Sequence, residues 1–207
     1  MDQIRRHQFK LVGGNPALDF INTLHDWTVS EPLDYLSEFA DAMRFGEAVG
    51  LLTGADNLRL RRRPRHLELT RLRELRALLK RIFQMQLSGQ ASSNMDLGKL
   101  SAELAEAARA ARLMVATRAR QSPQVPVIRK ITAENAGEAL LRLRIVEAAA
   151  ALLVSDAMLR VKSCPTCGWL FLDVSKNGSR RWCSMDTCGA VAKARRYYRR
   201  LKERTHS

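Results

Sequence analysis

SCPTCGWLFLDVSKNGSRRWCSMDTCGAVAKARRYYRRLKER, residues 163–204, holds all four cysteines of a 207-residue chain and ends in a run of arginines. The cysteines are Cys164, Cys167, Cys183 and Cys188, spaced C-x2-C-x15-C-x4-C. In a reducing compartment disulfides are disfavoured, and this spacing is that of a zinc site. Four thiolates close a tetrahedron and leave no position for water, so one structural Zn2+ per chain is expected rather than a catalytic one. An iron–sulfur cluster or a redox disulfide is the alternative.

The residues between the ligands fit a small finger. Cys164-Pro165-Thr166-Cys167-Gly168 reads as a knuckle, WLFLDV (169–174) alternates as a strand, and KNG (176–178) predicts a hairpin turn. Arg180-Arg181-Trp182 then returns to Cys183. Ser184 and Asp186 suit the start of a helix running to about Glu203. Knuckle, hairpin and helix define a treble-clef-like finger over 161–207. Along the helix, Val191, Ala194, Tyr198 and Leu201 share one stripe, expected to pack on Trp169, Phe171 and Trp182. Arg196, Arg199 and Arg200 lie opposite with Lys193 nearby, and Arg195 and Lys202 flank the stripe.

Charge is segregated along the chain. Residues 1–58 carry 4 basic and 9 acidic side chains, and residues 160–207 carry 12 and 3. A second basic block, 59–81, carries 10 and 2. Arginine-rich codon usage would explain Arg in place of Lys, but not the avoidance of acids at the C-terminus. Unpaired cations on one helix repel each other, and a polyanion relieves that cost. Arg180, Arg181, Lys193, Arg195, Arg196, Arg199 and Arg200 are therefore the candidate nucleic-acid contacts. RLRRRPR (59–65) is either a second phosphate contact or a solvated loop.

Working outward, residues 1–160 read as a mostly helical regulatory or sensor domain. Asn15 and Pro16 predict the N-cap and first position of a helix from Pro16 to about Leu24. SEPLDYLSEFADAMRFGEAVGLL (30–52) predicts one or two more helices. Residues 66–87 give the clearest helical period, through Leu72, Leu75, Leu79, Ile82, Phe83 and Gln86. SGQASSNMD (88–96) reads as a linker, followed by a helix from about Leu97 to Arg112. LMVAT (113–117) and VPVIRKI (125–131) flank the turn-like RARQSPQ and suggest a β-hairpin. Thr132 predicts the cap of one long helix to about Arg160, with Ala136, Leu140, Leu143, Ala150 and Leu153 on its apolar face. The fold class is thus mainly α.

Asp19, Asn22 and Thr23 are polar residues amid the apolar positions of the first helix. Such a set is either a satisfied buried network or a ligand contact. It is the candidate site for a small-molecule effector.

Several motifs together resemble a known family. They are GGNPALDFINT (13–23), CGWLFLD (167–173), RRWCSM (180–185) and TCG-x-x-AKARR (187–196). The chain is similar to the CGNR zinc-finger proteins, bacterial proteins that join an N-terminal stress-induced transcription regulator domain to a C-terminal finger. The resemblance implies bacterial transcription regulation and a stress response. One departure stands out. The family's Cys-Gly-Asn-Arg is here Cys188-Gly189-Ala190-Val191. Either the Asn and Arg read DNA and part of that readout is lost, or the pair buttresses the finger.

The function expected is zinc-dependent DNA binding in a transcription regulator with a possible effector; a homodimer is compatible with it. The alternative is a zinc-stabilised protein-interaction or RNA-binding module, with Trp169, Tyr197 and Tyr198 as stacking groups. No Ser/His/Asp arrangement, phosphate-binding glycine loop or open metal site suggests an enzyme. No apolar run is long enough for a membrane helix, and the N-terminus has no signal-peptide core, so the cytoplasm is the expected location.

Overall fold

The computed structural model describes residues 9–60, 66–115 and 126–205. Positions 61–65 of the basic cluster 59–65, and the turn RARQSPQ (118–124), lie outside the described residues.

Helix α1, Pro16–Ile21, begins as its sequence dictates: the Asn15 side chain accepts from the Ala17 N–H, and proline opens the helix. It is short but central, with Ala17, Leu18, Phe20 and Ile21 fully buried. It packs on α4, His66–Leu87, and on α7, Leu140–Leu153. Helices α2 (Phe39–Ala48), α3 (Gly54–Leu60) and α5 (Asn94–Ala110) complete the body. Ser93 caps α5 by accepting from the Asp96 N–H, so the helix starts inside the predicted linker. No helix among the described residues is long and apolar enough to cross a membrane.

The expected hairpin forms from β1, Ala111–Val115, and β2, Val127–Ile131, paired antiparallel with Leu113 opposite Arg129. Three other expectations need correction. Residues 30–38 are not helical. This stretch runs back along 23–25 through Tyr35 N–H to Thr23 O and His25 N–H to Leu33 O. Asp34 is gripped there by both terminal guanidinium nitrogens of Arg76, and α2 starts only where Asp41 caps the Glu38 N–H. The single helix expected over 132–160 is broken. α6 spans only Ala133–Ala136, because Gly137 takes a left-handed φ of 57°. A 3-10 turn leads into α7, and a second, Asp156–Arg160, follows it. The buried face of α7 also differs: Leu141, Ile145, Val146, Ala149 and Leu152 join Leu140 and Leu143, while Ala150 and Leu153 are only partly covered.

Arg142 of α7 is fully buried and meets Glu68 at 2.7 Å, Glu106 at 2.9 Å, and Glu103. A buried guanidinium requires such partners, since the desolvation cost is otherwise uncompensated.

The third correction concerns the finger's strands. β3, Val161–Ser163, precedes the knuckle and pairs with β4, Leu170–Leu172. The knuckle itself is thus the hairpin turn, closed by Cys164 N–H to Trp169 O and Gly168 N–H to Cys164 O, both 2.8 Å. The KNG segment is instead a loop gathered around the Asp173 carboxylate. Asp173 accepts from Ser175 N–H and Oγ, Arg180 N–H and Lys162 Nζ. Lys162 and then the Ser175 hydroxyl hold this carboxyl well below the usual range. A π-turn, Met185–Gly189, leads into α8, Ala190–Thr205.

Candidate metal centre and basic helix

The four cysteine sulfurs lie within 4.8 Å of one another. Cys167–Cys183 are 3.7 Å apart, and Cys188 is 3.6 Å from each of them. A tetrahedron with ~2.3 Å zinc–sulfur bonds has edges of about 3.8 Å, so the donors fit Zn2+ closely. They are too far apart for disulfides, whose S–S bond is about 2.05 Å. The cluster takes one Zn2+, which cross-links the finger without an open coordination position. The Cys183 thiol beside it, and also the Trp169 N–H, hold the Cys167 thiol below its usual range.

Around the sulfurs, Trp169 and Phe171 form a second small core with Val12, Trp27, Tyr35 and Trp182. The predicted stripe of α8 is absent from it. Val191 is 42% exposed, Tyr198 69% and Leu201 39%, and every side chain from Lys193 to Glu203 is exposed. The expected packing of that stripe on Trp169, Phe171 and Trp182 therefore fails. The physical reason is that the N-terminal segment covers these rings first, and the Arg180 guanidinium lies 4.5 Å over Phe171.

The body and the knuckle hairpin share one core, since Val161 and Leu170 pack with α1, α4 and α7 residues. Hydrogen bonds reinforce that seam. Asn22 Nδ2 donates to Leu170 O at 2.8 Å, and Leu170 N–H donates to Asn22 Oδ1 at 2.9 Å. Leu172 N–H donates to Gly13 O at 2.8 Å, and Trp27 N–H to Cys167 O at 3.0 Å. Trp169 Nε1 donates to Leu24 O at 2.7 Å, and Lys80 Nζ to Gly168 O. Burial brings Lys80 down to about 8. Gly168 has φ 72°, and a Cβ there would stand 3.0 Å from Trp27 Cβ, so glycine suits both the turn and the close approach.

The three candidate effector residues lie in this seam. Asp19 is 8% exposed, Asn22 3% and Thr23 1%. Asp19 accepts from the Gly13 N–H at 2.8 Å; burial raises its carboxyl to about 6 against the lowering effect of the Gly13 and Val12 N–H groups. A Cβ on Gly13 would stand 2.9 Å from Asp19 N and Oδ1, so the GGNP turn needs glycine at this position. Thr23 donates to Phe20 O and accepts from Arg76. The polar atoms of the trio are thus engaged by the protein itself.

The cationic candidates divide. Arg180 is internal: it donates to Trp182 O at 3.0 Å, to Val12 O at 3.2 Å, and to Cys183 O. Arg181 sits 5.3 Å over the Trp182 ring. Lys193, Arg195, Arg196, Arg199 and Arg200 are exposed and form no ion pair with any described residue. Sequence reasoning missed Asp173, Lys162, Arg76 and Lys80, and also Arg160, which donates to the Asp173 and Ser175 carbonyls. Of these only Asp173 carried a signal, as the terminal acid of the CGWLFLD motif.

A helical body bolted to a four-cysteine zinc finger with an exposed basic helix is the class of protein that fold and site define. The chain matches the CGNR zinc finger over residues 160–201, and the ABATE family, "Putative stress-induced transcription regulator", over residues 14–156. It belongs to the ABATE family and carries a CGNR zinc finger. Among curated proteins no match is found. Where the family has Asn and Arg, Ala190 is exposed and Val191 lines a recess beside the cysteines.

Proposed function

We propose that this protein is a transcription regulator that binds duplex DNA through α8. One observation carries the reading: Lys193, Arg195, Arg196, Arg199 and Arg200 are exposed on one helix and form no ion pair with any described residue, and Glu203 is that helix's one acid. Phosphates supply the missing partners, and counterion release supplies most of the affinity. Arg181 flanks the same end, while Arg180 acts as a strut of the finger. Zinc serves by fixing the direction of α8. Asp19, Asn22 and Thr23 serve the seam in this reading, and an effector would meet the body elsewhere.

Exposed Tyr197 and Tyr198, 5.8 Å apart between ring centroids, favour a second reading in which single-stranded nucleic acid stacks on them. Selection of bound fragments from a random duplex library, with and without EDTA, tests the proposal. Duplex enrichment by the zinc-loaded protein alone is expected. Retention of single strands only would support the second reading, and no retention of either would leave an interaction module.

A further inference from the structure

The four zinc ligands belong to two differently anchored segments. Cys164 and Cys167 sit on the knuckle, which the body holds through the Trp27, Lys80 and Leu24 contacts and, just beyond, the Asn22 clamp on Leu170. Cys183 and Cys188 sit on the segment that starts α8. Apart from the metal, that segment is held by Trp182 and Cys183 in the small core, by Arg180 on the Val12, Trp182 and Cys183 carbonyls, and, beyond Cys183, by Thr166 Oγ1 on Cys188 O at 3.4 Å. From Ala190 to Arg200 no hydrogen bond or ion pair reaches the body among the described residues.

The ligands also differ in access. Cys164, Cys167 and Cys183 are 1%, 9% and 2% exposed, whereas Cys188 is half-buried. An open recess of about 290 Å³ reaches Cys167, Cys183 and Cys188 but not Cys164, with Thr187, Val191 and Arg195 on its wall. That is room for a small oxidant beside the sulfurs.

We propose that Cys188 is an oxidation site, and that hydrogen peroxide converts Cys183 and Cys188 into a disulfide, releasing zinc and unfastening α8 from the body. The Cys188 thiolate attacks one peroxide oxygen; the O–O bond breaks, and the departing hydroxide takes a proton and leaves as water. The sulfenic acid formed at Cys188 is then attacked by the Cys183 thiolate, 3.6 Å away. The S–S bond forms, the S–O bond breaks, and a second proton carries that oxygen away as water. Two thiolates, one peroxide and two protons give one disulfide and two waters, and Zn2+ passes to solvent. Cys183 is the resolving partner because it lies five residues from Cys188 on the same stretch of chain and stays within reach as the turn after Cys183 loosens, whereas Cys167 is fixed to the body through Trp27 N–H on its carbonyl.

This inference deepens the DNA-binding reading and rests on it only for the consequence, loss of duplex binding. The test treats zinc-loaded full-length protein with equimolar hydrogen peroxide. Zinc release is followed with a colorimetric chelator, and disulfides are mapped by peptide mass spectrometry. One zinc released per disulfide is expected, joining Cys183 to Cys188, with amide exchange accelerated over 183–192 and unchanged over 161–172. Val191→Phe narrows the recess and should slow release at least five-fold at unchanged zinc content; Thr187→Leu is the second variant should the first not hold zinc. Release at the unaltered rate in both variants, a Cys164–Cys167 or Cys167–Cys188 disulfide, or no release before over-oxidation would overturn the proposal. Duplex binding is measured separately on reduced protein. Its absence there, with the disulfide formed as expected, would remove the DNA reading and leave the oxidation site standing.

Discussion

The carboxamide of Asn22 pairs with both backbone groups of Leu170, 148 residues further along the chain. One side chain thus completes the hydrogen bonding of a finger strand from within the helical body. Both residues are buried, so no water replaces the lost partner if Asn22 is removed. Asn22→Ala should cost about 2–3 kcal/mol of stability, the penalty of unpaired buried groups. Asn22→Asp should be at least as damaging, because a carboxylate would face the Leu170 carbonyl. Urea denaturation of the zinc-loaded protein checks this; a loss below about 0.5 kcal/mol for Asn22→Ala would show that the seam does not depend on the pair.

Asp19 sets a pH dependence. Burial raises its carboxyl from 3.8 to about 6. A carboxyl raised on folding makes the native state bind the proton more tightly, so its contribution to stability falls as pH rises from about 4 to about 6. Asn at this position keeps an acceptor for Gly13 and never ionises. The stability of Asp19→Asn relative to the unaltered protein should therefore grow by up to about 3 kcal/mol between pH 4 and pH 7. Taking the difference between the two proteins removes the pH dependence of zinc binding common to both. A gap that stays flat or narrows over that window would contradict the assignment.

The metal should occupy one site per chain, and Cys183→Ser should lose it, since structural zinc supplies folding free energy through all four ligands. The seam predicts a limited consequence. Val161 and Leu170 lie in the body's core, so β3 and β4 should persist. Metal analysis and denaturation of the variant test this: zinc retained at full occupancy, or a body transition destabilised by more than about 3 kcal/mol, would contradict it.

The sequence exposes these features unevenly. The ligands, the Asn15–Pro16 helix start, α4 and the β1–β2 hairpin are local, and their spacing or period suffices to read them. The seam is not local. Asn22 and Leu170 meet only in the folded chain, and nothing in the alternation of WLFLDV reveals that its partner is Val161–Ser163 rather than a strand beyond KNG. The stripe on α8 misled for the same reason. Its period is genuine, but Trp27, Tyr35 and Val12 cover the rings it was expected to cover. Gly137 and Asp34 broke two predicted helices through a left-handed φ and a distant arginine, and only the glycine was visible as a signal.

The central claim is that the free face of α8 meets DNA phosphates. The direct measurement is duplex affinity across a range of salt concentrations, for the unaltered protein and for Arg196→Ala, Arg199→Ala and Arg200→Ala combined. Alanine favours helix, so α8 and zinc content should be unchanged. Each lost phosphate contact lowers the log–log salt slope by about 0.9, so the triple variant should lose about 2–3 in slope, with at least a ten-fold weaker affinity at moderate salt. Unchanged affinity and unchanged slope would show that α8 is a solvated helix and that this protein does not bind DNA through it.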